Sequence, residues 1–321
     1  MADPYTPEST HPMKRRHFIQ STAALALCPA ATASQAATVA TRIIDTHTHF
    51  YDPTRPQGVP WPGKGTKLYR PVLPADWRAQ AEPHGIKETV IVEASSWVED
   101  NQWILDLAEQ EKCIIGFVGH LEAADAGFRD NLKRFSRNPI FRGVRWSGAA
   151  VSDTAIKDQV LSGAKLLADH GLELDLNGPP ESLLPAAALA AEVTDLRIVI
   201  NHLGSSGDPK SLKPDWKENI RVISKQKNVW MKVSALVEQV KGAEGQASKE
   251  VGYYLPILDH LWECFGPDRL IYGSNWPVSD RGASYDVVFG LVRDYFSSKG
   301  TEACEKYFWK NSRVAYRWIE R

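Results

Sequence analysis

The feature that most restricts this chain is an alternation of short apolar runs with amphipathic stretches, repeated about eight times after residue 43. Thr89-Val90-Ile91-Val92, Ile114-Ile115-Gly116-Phe117-Val118 and Ile198-Val199-Ile200 have no polar face. Strands of that kind are covered by helices on both sides, as in parallel sheets. Between them, apolar residues recur at helical spacing, as over 101–110, 128–137, 155–170 and 183–193. Eight such units over about 280 residues predict a closed (β/α)8 TIM barrel rather than a doubly wound sheet. No glycine-rich phosphate loop follows the early strands. A further helix over 301–319 is expected to pack outside the barrel or close its bottom.

One stretch breaks the rhythm. After the first strand, residues 51–74 hold Pro53, Pro56, Pro60, Pro62 and Pro71 around Trp61 and Tyr69. So many prolines forbid a helix or a central strand. A long β1–α1 loop at that place reads as a wall or lid over a site, an inert surface excursion being the plainer alternative.

The first 40 residues differ in kind. Met13-Lys14-Arg15-Arg16-His17-Phe18-Ile19 precedes a short apolar stretch and small residues, which resembles a twin-arginine export signal. The expectation is a leader over 1–40, handed to the export machinery, and one periplasmic barrel domain over 41–321. A disordered alanine-rich tail is the alternative. No later apolar run approaches the roughly 20 residues that span a bilayer, so no stable membrane insertion is expected after cleavage. Lys plus Arg (38) nearly balances Asp plus Glu (39), which excludes a field built for nucleic acid. The four cysteines are scattered and form no C-x-x-C, so neither a disulfide framework nor a thiolate zinc site is expected. The partner left is a small molecule.

In such a barrel, chemistry sits at the C-terminal strand ends. The first strand ends in His47 and His49, with Asp45 deeper and in phase with both. Two neutral imidazoles there can chelate one metal ion, and half-exposed strand histidines are the bland alternative. Other strand ends supply Glu93, His120, Arg145 with Trp146, His202, Lys232 with Ser234, and Asn275 with Trp276. Glu173 and Asp175 alternate with leucines and are expected to face inward. Arg145 and Lys232 suit oxygens of a substrate, although either can instead close an ion pair inside the barrel. Trp61, Trp97, Trp146 and Trp276 are candidates to stack on a sugar ring or wall the pocket.

Asp45-Thr46-His47-Thr48-His49-Phe50, Arg142-Gly143-Val144-Arg145, Val199-Ile200-Asn201-His202-Leu203-Gly204 and Tyr272-Gly273-Ser274-Asn275-Trp276-Pro277-Val278 occur in this order. With this set the chain resembles the amidohydrolase-related (amidohydrolase 2) family, and within it the branch of sugar lactonases and 2-pyrone-4,6-dicarboxylate lactonase. The resemblance runs from about residue 42 to the end. It implies a distorted barrel and hydrolysis of lactones, with some relatives decarboxylating. By position, His47 and His49 match its strand-one histidines and His202 its strand-six histidine, and Arg145 matches a basic strand-four position that can hold a carboxylate or lactone oxygen.

Two departures follow. Strand five carries no His or Lys at the metal-bridging position, which argues against two metals. Strand eight carries Asn275 where lactonase members place an aspartate that takes the proton of water. An amide cannot do that at neutral pH. The expectation is therefore a hydrolase opening a sugar lactone or related cyclic ester, with one divalent ion (Zn or Mn) on His47, His49 and His202 activating water. Glu93 is the expected base, Asn275 orients the water, and Arg145, Trp146 and Lys232 bind substrate. A metal-free route stays open, as do a barrel that binds a sugar acid without turnover and a metal-dependent decarboxylase.

Overall fold

The computed structural model describes residues 39–242 and 245–321. Residues 1–38 of the predicted leader lie outside the described residues. Eight strands, β1 (Ile44–Thr48), β2 (Glu88–Val92), β3 (Ile114–Gly119), β4 (Phe141–Ser147), β5 (Glu173–Asn177), β6 (Arg197–Ile200), β7 (Val229–Val233) and β8 (Leu270–Tyr272), follow in order in one parallel sheet. The helices between them are α1 (Pro74–Ala81), α2 (Asp100–Gln110), α3 (Phe128–Phe135), α4 (Gly148–Ser152), α5 (Lys157–Asp169), α6 (Leu183–Glu192), α7 (Trp216–Ile223) and α8 (Val251–Phe265), with α9 (Tyr285–Ser298) after β8.

The two edges meet through backbone. The Asn275 N–H donates to the His47 carbonyl at 2.8 Å, and the His49 N–H to the Trp276 carbonyl at 3.0 Å. Gly273 makes that approach feasible, because a Cβ there would stand 2.7 Å from the His47 Cβ. The result is the expected (β/α)8 barrel.

Two apolar cores follow from strands covered on both sides. The larger, between strands and helices, includes Ile91, Phe117, Leu174, Leu176, Trp77 and Trp216. The smaller includes Ile44, Val90, Ile115, Val199 and Ile271, closed by Tyr316 and Trp318. Those last two belong to the C-terminal segment, which caps the barrel at the strand starts: Arg197 Nε donates to the Ala315 carbonyl at 2.7 Å, and the Ile319 N–H to Ile115 at 3.0 Å. The segment is not the single helix predicted. A π turn, Lys306–Lys310, separates α10 (Thr301–Glu305) from α11 (Asn311–Tyr316). The wider turn lets consecutive aromatics, Tyr307 and Phe308, both bury against Tyr272.

Candidate active site

A cleft of about 450 Å³ opens at the C-terminal strand ends, within the roughly 300–1,000 Å³ usual for small-molecule sites. His49, Glu93, Arg145, His202 and Asn275 all line it, from β1, β2, β4, β6 and β8 respectively. Trp61 of the proline-rich loop forms one wall, its ring centroid 5.9 Å from that of His49. A second cavity of about 780 Å³ adjoins the first, sharing Trp61 and Arg281 with it. The loop is therefore a wall of the site. Among the four tryptophans proposed from sequence, only Trp61 lines either of these two cavities.

The histidines gather closely. The His47 ring centroid lies 5.0 Å from His49 and 4.6 Å from His202. All three are held neutral: burial is the main cause, with Lys232 and Arg145 adding repulsion at His47, and Arg145 at His49 and His202. His49 is lowered to about 4.

Their hydrogen bonds fix which nitrogens carry protons. His49 Nδ1 donates to the Val92 carbonyl at 2.9 Å, which leaves the Nε2 lone pair 3.3 Å from another acceptor, Asn275 Oδ1. His47 Nδ1 lies 3.3 Å from the Lys232 ammonium and so accepts, which puts its proton on Nε2. That buried Nε2–H has no partner. His202 Nδ1 is paired with Ser234 Oγ at 2.9 Å.

The three histidines of the expected metal set are brought together, with His47 Nε2 unpartnered and His49 Nε2 beside Asn275 Oδ1. Among the described residues, no group of three or more His, Cys, Asp or Glu side chains is disposed to hold a metal ion. For His47 Nε2 to become a ligand, its ring proton would have to turn toward the Lys232 ammonium. A dication would also face Arg145, and the cleft carboxylate Glu93 is already neutralised by it. Three neutral imidazoles in one cluster are nonetheless the donors that a divalent ion takes. Elemental analysis of folded protein after dialysis without chelator is expected to find about one zinc or manganese per chain, lost in His47→Ala. Folded protein without metal would contradict this.

Glu93 is not placed as the base. Its carboxylate pairs with Arg145, Nε at 2.8 Å and Nη2 at 2.7 Å, and stands 3.8 Å from His120. Burial acts to raise its pKa, but Arg145 and then His120 outweigh that and hold it at about 2. A base so acidic takes few protons near neutrality. Glu93 instead clamps the guanidinium over the cleft, a second bond running from Arg145 Nη2 to the Glu93 carbonyl at 3.1 Å.

Two substrate-binding assignments change as well. Trp146 is buried on the opposite face of β4 from Arg145, its Nε1 donating to the Leu121 carbonyl at 2.8 Å. Neighbours on a strand face opposite ways, so only one of the pair can reach the cleft. Lys232 lies fully buried below the mouth, its ammonium 2.8 Å from Asp175 Oδ2. The inward acidic row thus exists as expected, and Lys232 neutralises it. Asp45 departs from the phase of the histidines. A pairing irregularity between Asp45 and Thr48 breaks the alternation, and the carboxylate bonds Trp77 of α1 and Tyr285 of α9.

Sequence reasoning missed Glu238. It lies in the 3-10 turn Val237–Gln239 after β7, and its Oε1 accepts from Asn275 Nδ2 at 2.7 Å. Asn275 itself adopts φ 62°, a left-handed conformation that Asn tolerates better than most residues. No periodicity marks a turn residue, so the only available signal was a carboxylate soon after a strand end.

Fold and site together define a barrel hydrolase with neutral histidines and one clamped arginine at its mouth. The amidohydrolase family model matches residues 44–318, and the chain belongs to that family. An L-fucono-1,5-lactonase from Burkholderia ambifaria is 29% identical over 239 residues, covering 74% of this chain and 80% of the relative. A second protein of that name, from Burkholderia multivorans, is 26% identical over 275 residues, covering 83% and 92%. A crystal structure of a Burkholderia multivorans amidohydrolase with bound HEPES superimposes with a TM-score of 0.77 at 23% identity, over 87% of this chain and all of the other. A further crystal structure so described has zinc bound, with a TM-score of 0.75, 23% identity and the same coverage.

Proposed function

We propose that the chain hydrolyses a lactone of a sugar acid or a related cyclic ester. The observation that carries this is Arg145, fixed by Glu93 and presented beside neutral histidines in one cleft, in a family whose curated members include two named L-fucono-1,5-lactonases. A fixed guanidinium donates parallel hydrogen bonds to carbonyl or carboxylate oxygens. It is the group in the cleft suited to hold a lactone carbonyl and to meet the negative charge that develops on its oxygen. Trp61 offers an aromatic face to the ring. Because the histidines are uncharged, they donate or accept hydrogen bonds without repelling the guanidinium.

The test is ring opening across a panel of 1,4- and 1,5-aldonolactones that includes L-fucono-1,5-lactone. Acid release above the spontaneous rate is expected for at least one. Binding without turnover is the second reading, favoured by Asn275 in place of a strand-eight carboxylate. It predicts saturable calorimetric heats and no acid release.

Export of a precursor cleaved near residue 40 belongs to the same proposal. Fractionation is expected to place the mature domain in the periplasm, and finding only full-length protein in the cytoplasm would overturn it.

A further inference from the structure

The amide at the end of β8 cannot take a proton from water, yet it holds a group that can. Asn275 lines the cleft and donates through Nδ2 to Glu238 Oε1, while Glu238 lines the adjoining cavity. An aspartate at position 275 could not donate that bond; an asparagine can. The second oxygen, Glu238 Oε2, is shut from bulk water and has no partner among the described residues. An unpaired buried carboxylate oxygen is costly unless something else meets it.

The turn that carries Glu238 is well held. Gln239 accepts from the Gly207 N–H at 3.0 Å, and the Gly282 Cα packs so closely on Val237 that a Cβ would come within 2.9 Å of it. Two strand-end turns, after β7 and β8, thus fix the carboxylate against the amide.

We propose that Glu238 is the general base of the reaction, with Asn275 as the residue that aims it; this rests on the lactone-hydrolase reading. One water O–H bond breaks as its proton passes to the Glu238 carboxylate, and the water oxygen bonds to the lactone carbonyl carbon. Collapse of the tetrahedral adduct breaks the ring C–O bond, whose electrons leave on the alkoxide oxygen. That oxygen takes the proton back from Glu238, and the new carboxylic acid releases its own proton to solvent. No other co-reactant enters.

The surroundings suit the role. Burial is the main influence on Glu238 and raises its pKa to about 7, while the Asn275 bond pulls it down. Arg281 lowers and Asp280 raises it, both from the turn after β8. Tyr254 of α8 also feels its charge, and Lys67 of the β1–α1 loop lines the same cavity. A base is most effective when its pKa lies near the working pH.

The experiment uses the full chain and whichever lactone the wild type opens. Wild-type kcat/KM is expected to rise with pH and level off above about 7, because Glu238 must be ionised. Glu238→Gln is expected to lose about 100-fold or more in kcat with KM little changed, and to lose that acidic limb. Glu238→Asp is expected to keep the limb and a larger share of the rate. An E238Q variant with near wild-type kcat and an intact limb overturns the inference while the lactonase reading stands. A wild type that opens no lactone overturns both.

Discussion

Lys232→Met is expected to cost about 3–5 kcal/mol of folding stability, because it strips a fully buried carboxylate of its counter-charge. Lys232 and Asp175 are both 0% exposed and 2.8 Å apart. Without the ammonium, Asp175 keeps only Asn201 Nδ2 at 3.1 Å and the Tyr316 hydroxyl at 2.9 Å. Its neighbour Glu173 supplies no counter-charge: burial, then the charge of Asp175, pushes its pKa well above the usual carboxylate range. Urea denaturation checks the loss. Adding Asp175→Asn is expected to recover most of it, since removing both charges of a buried pair costs far less than removing one. In whatever folded fraction remains, KM should be unchanged, because Lys232 lines neither cavity. A stable variant with a raised KM would return Lys232 to the substrate.

Arg145→Ala is expected to lower kcat/KM by about 30-fold or more, the effect of truncating one partner of a buried charged hydrogen bond. Steady-state kinetics on the opened lactone provides the check. Arg145→Lys should recover little, because an ammonium cannot hold Glu93 through Nε and Nη2 and still present parallel donors. The same change should release Glu93 from about 2 toward ordinary carboxylate values. That pair also supplies acid sensitivity. A carboxylate depressed on folding stabilises above its unfolded pKa, and the contribution is lost as pH falls toward 2. An R145A variant with unaltered kinetics would mean that the pair only braces the barrel.

Most of the architecture was legible because parallel strands buried on both sides leave continuous apolar runs, and helices between them leave a different period. The same logic brought His49, Glu93, Arg145, His202 and Asn275 to one mouth: they follow from strand ends. What failed was depth and facing. Trp146 sits beside Arg145 in sequence and so on the other side of the sheet. Lys232 is on the inward face as expected, but below the cleft, and depth along a strand is not written in alternation. Asp45 fell out of phase through a pairing irregularity that only the neighbouring strand reveals. Glu238 came from a turn, where no period points to anything. The histidines expected to hold a metal did come together, but that Lys232, Val92 and Ser234 each engage one of their nitrogens is not written in any spacing.

The central claim is hydrolysis of a lactone at this cleft, and acid release from the aldonolactone panel by the full chain tests it most directly. The account predicts saturable, enzyme-dependent ring opening of at least one member, faster above neutral pH than below. No release above the spontaneous rate with any member, from folded protein that still binds one of them, would contradict it.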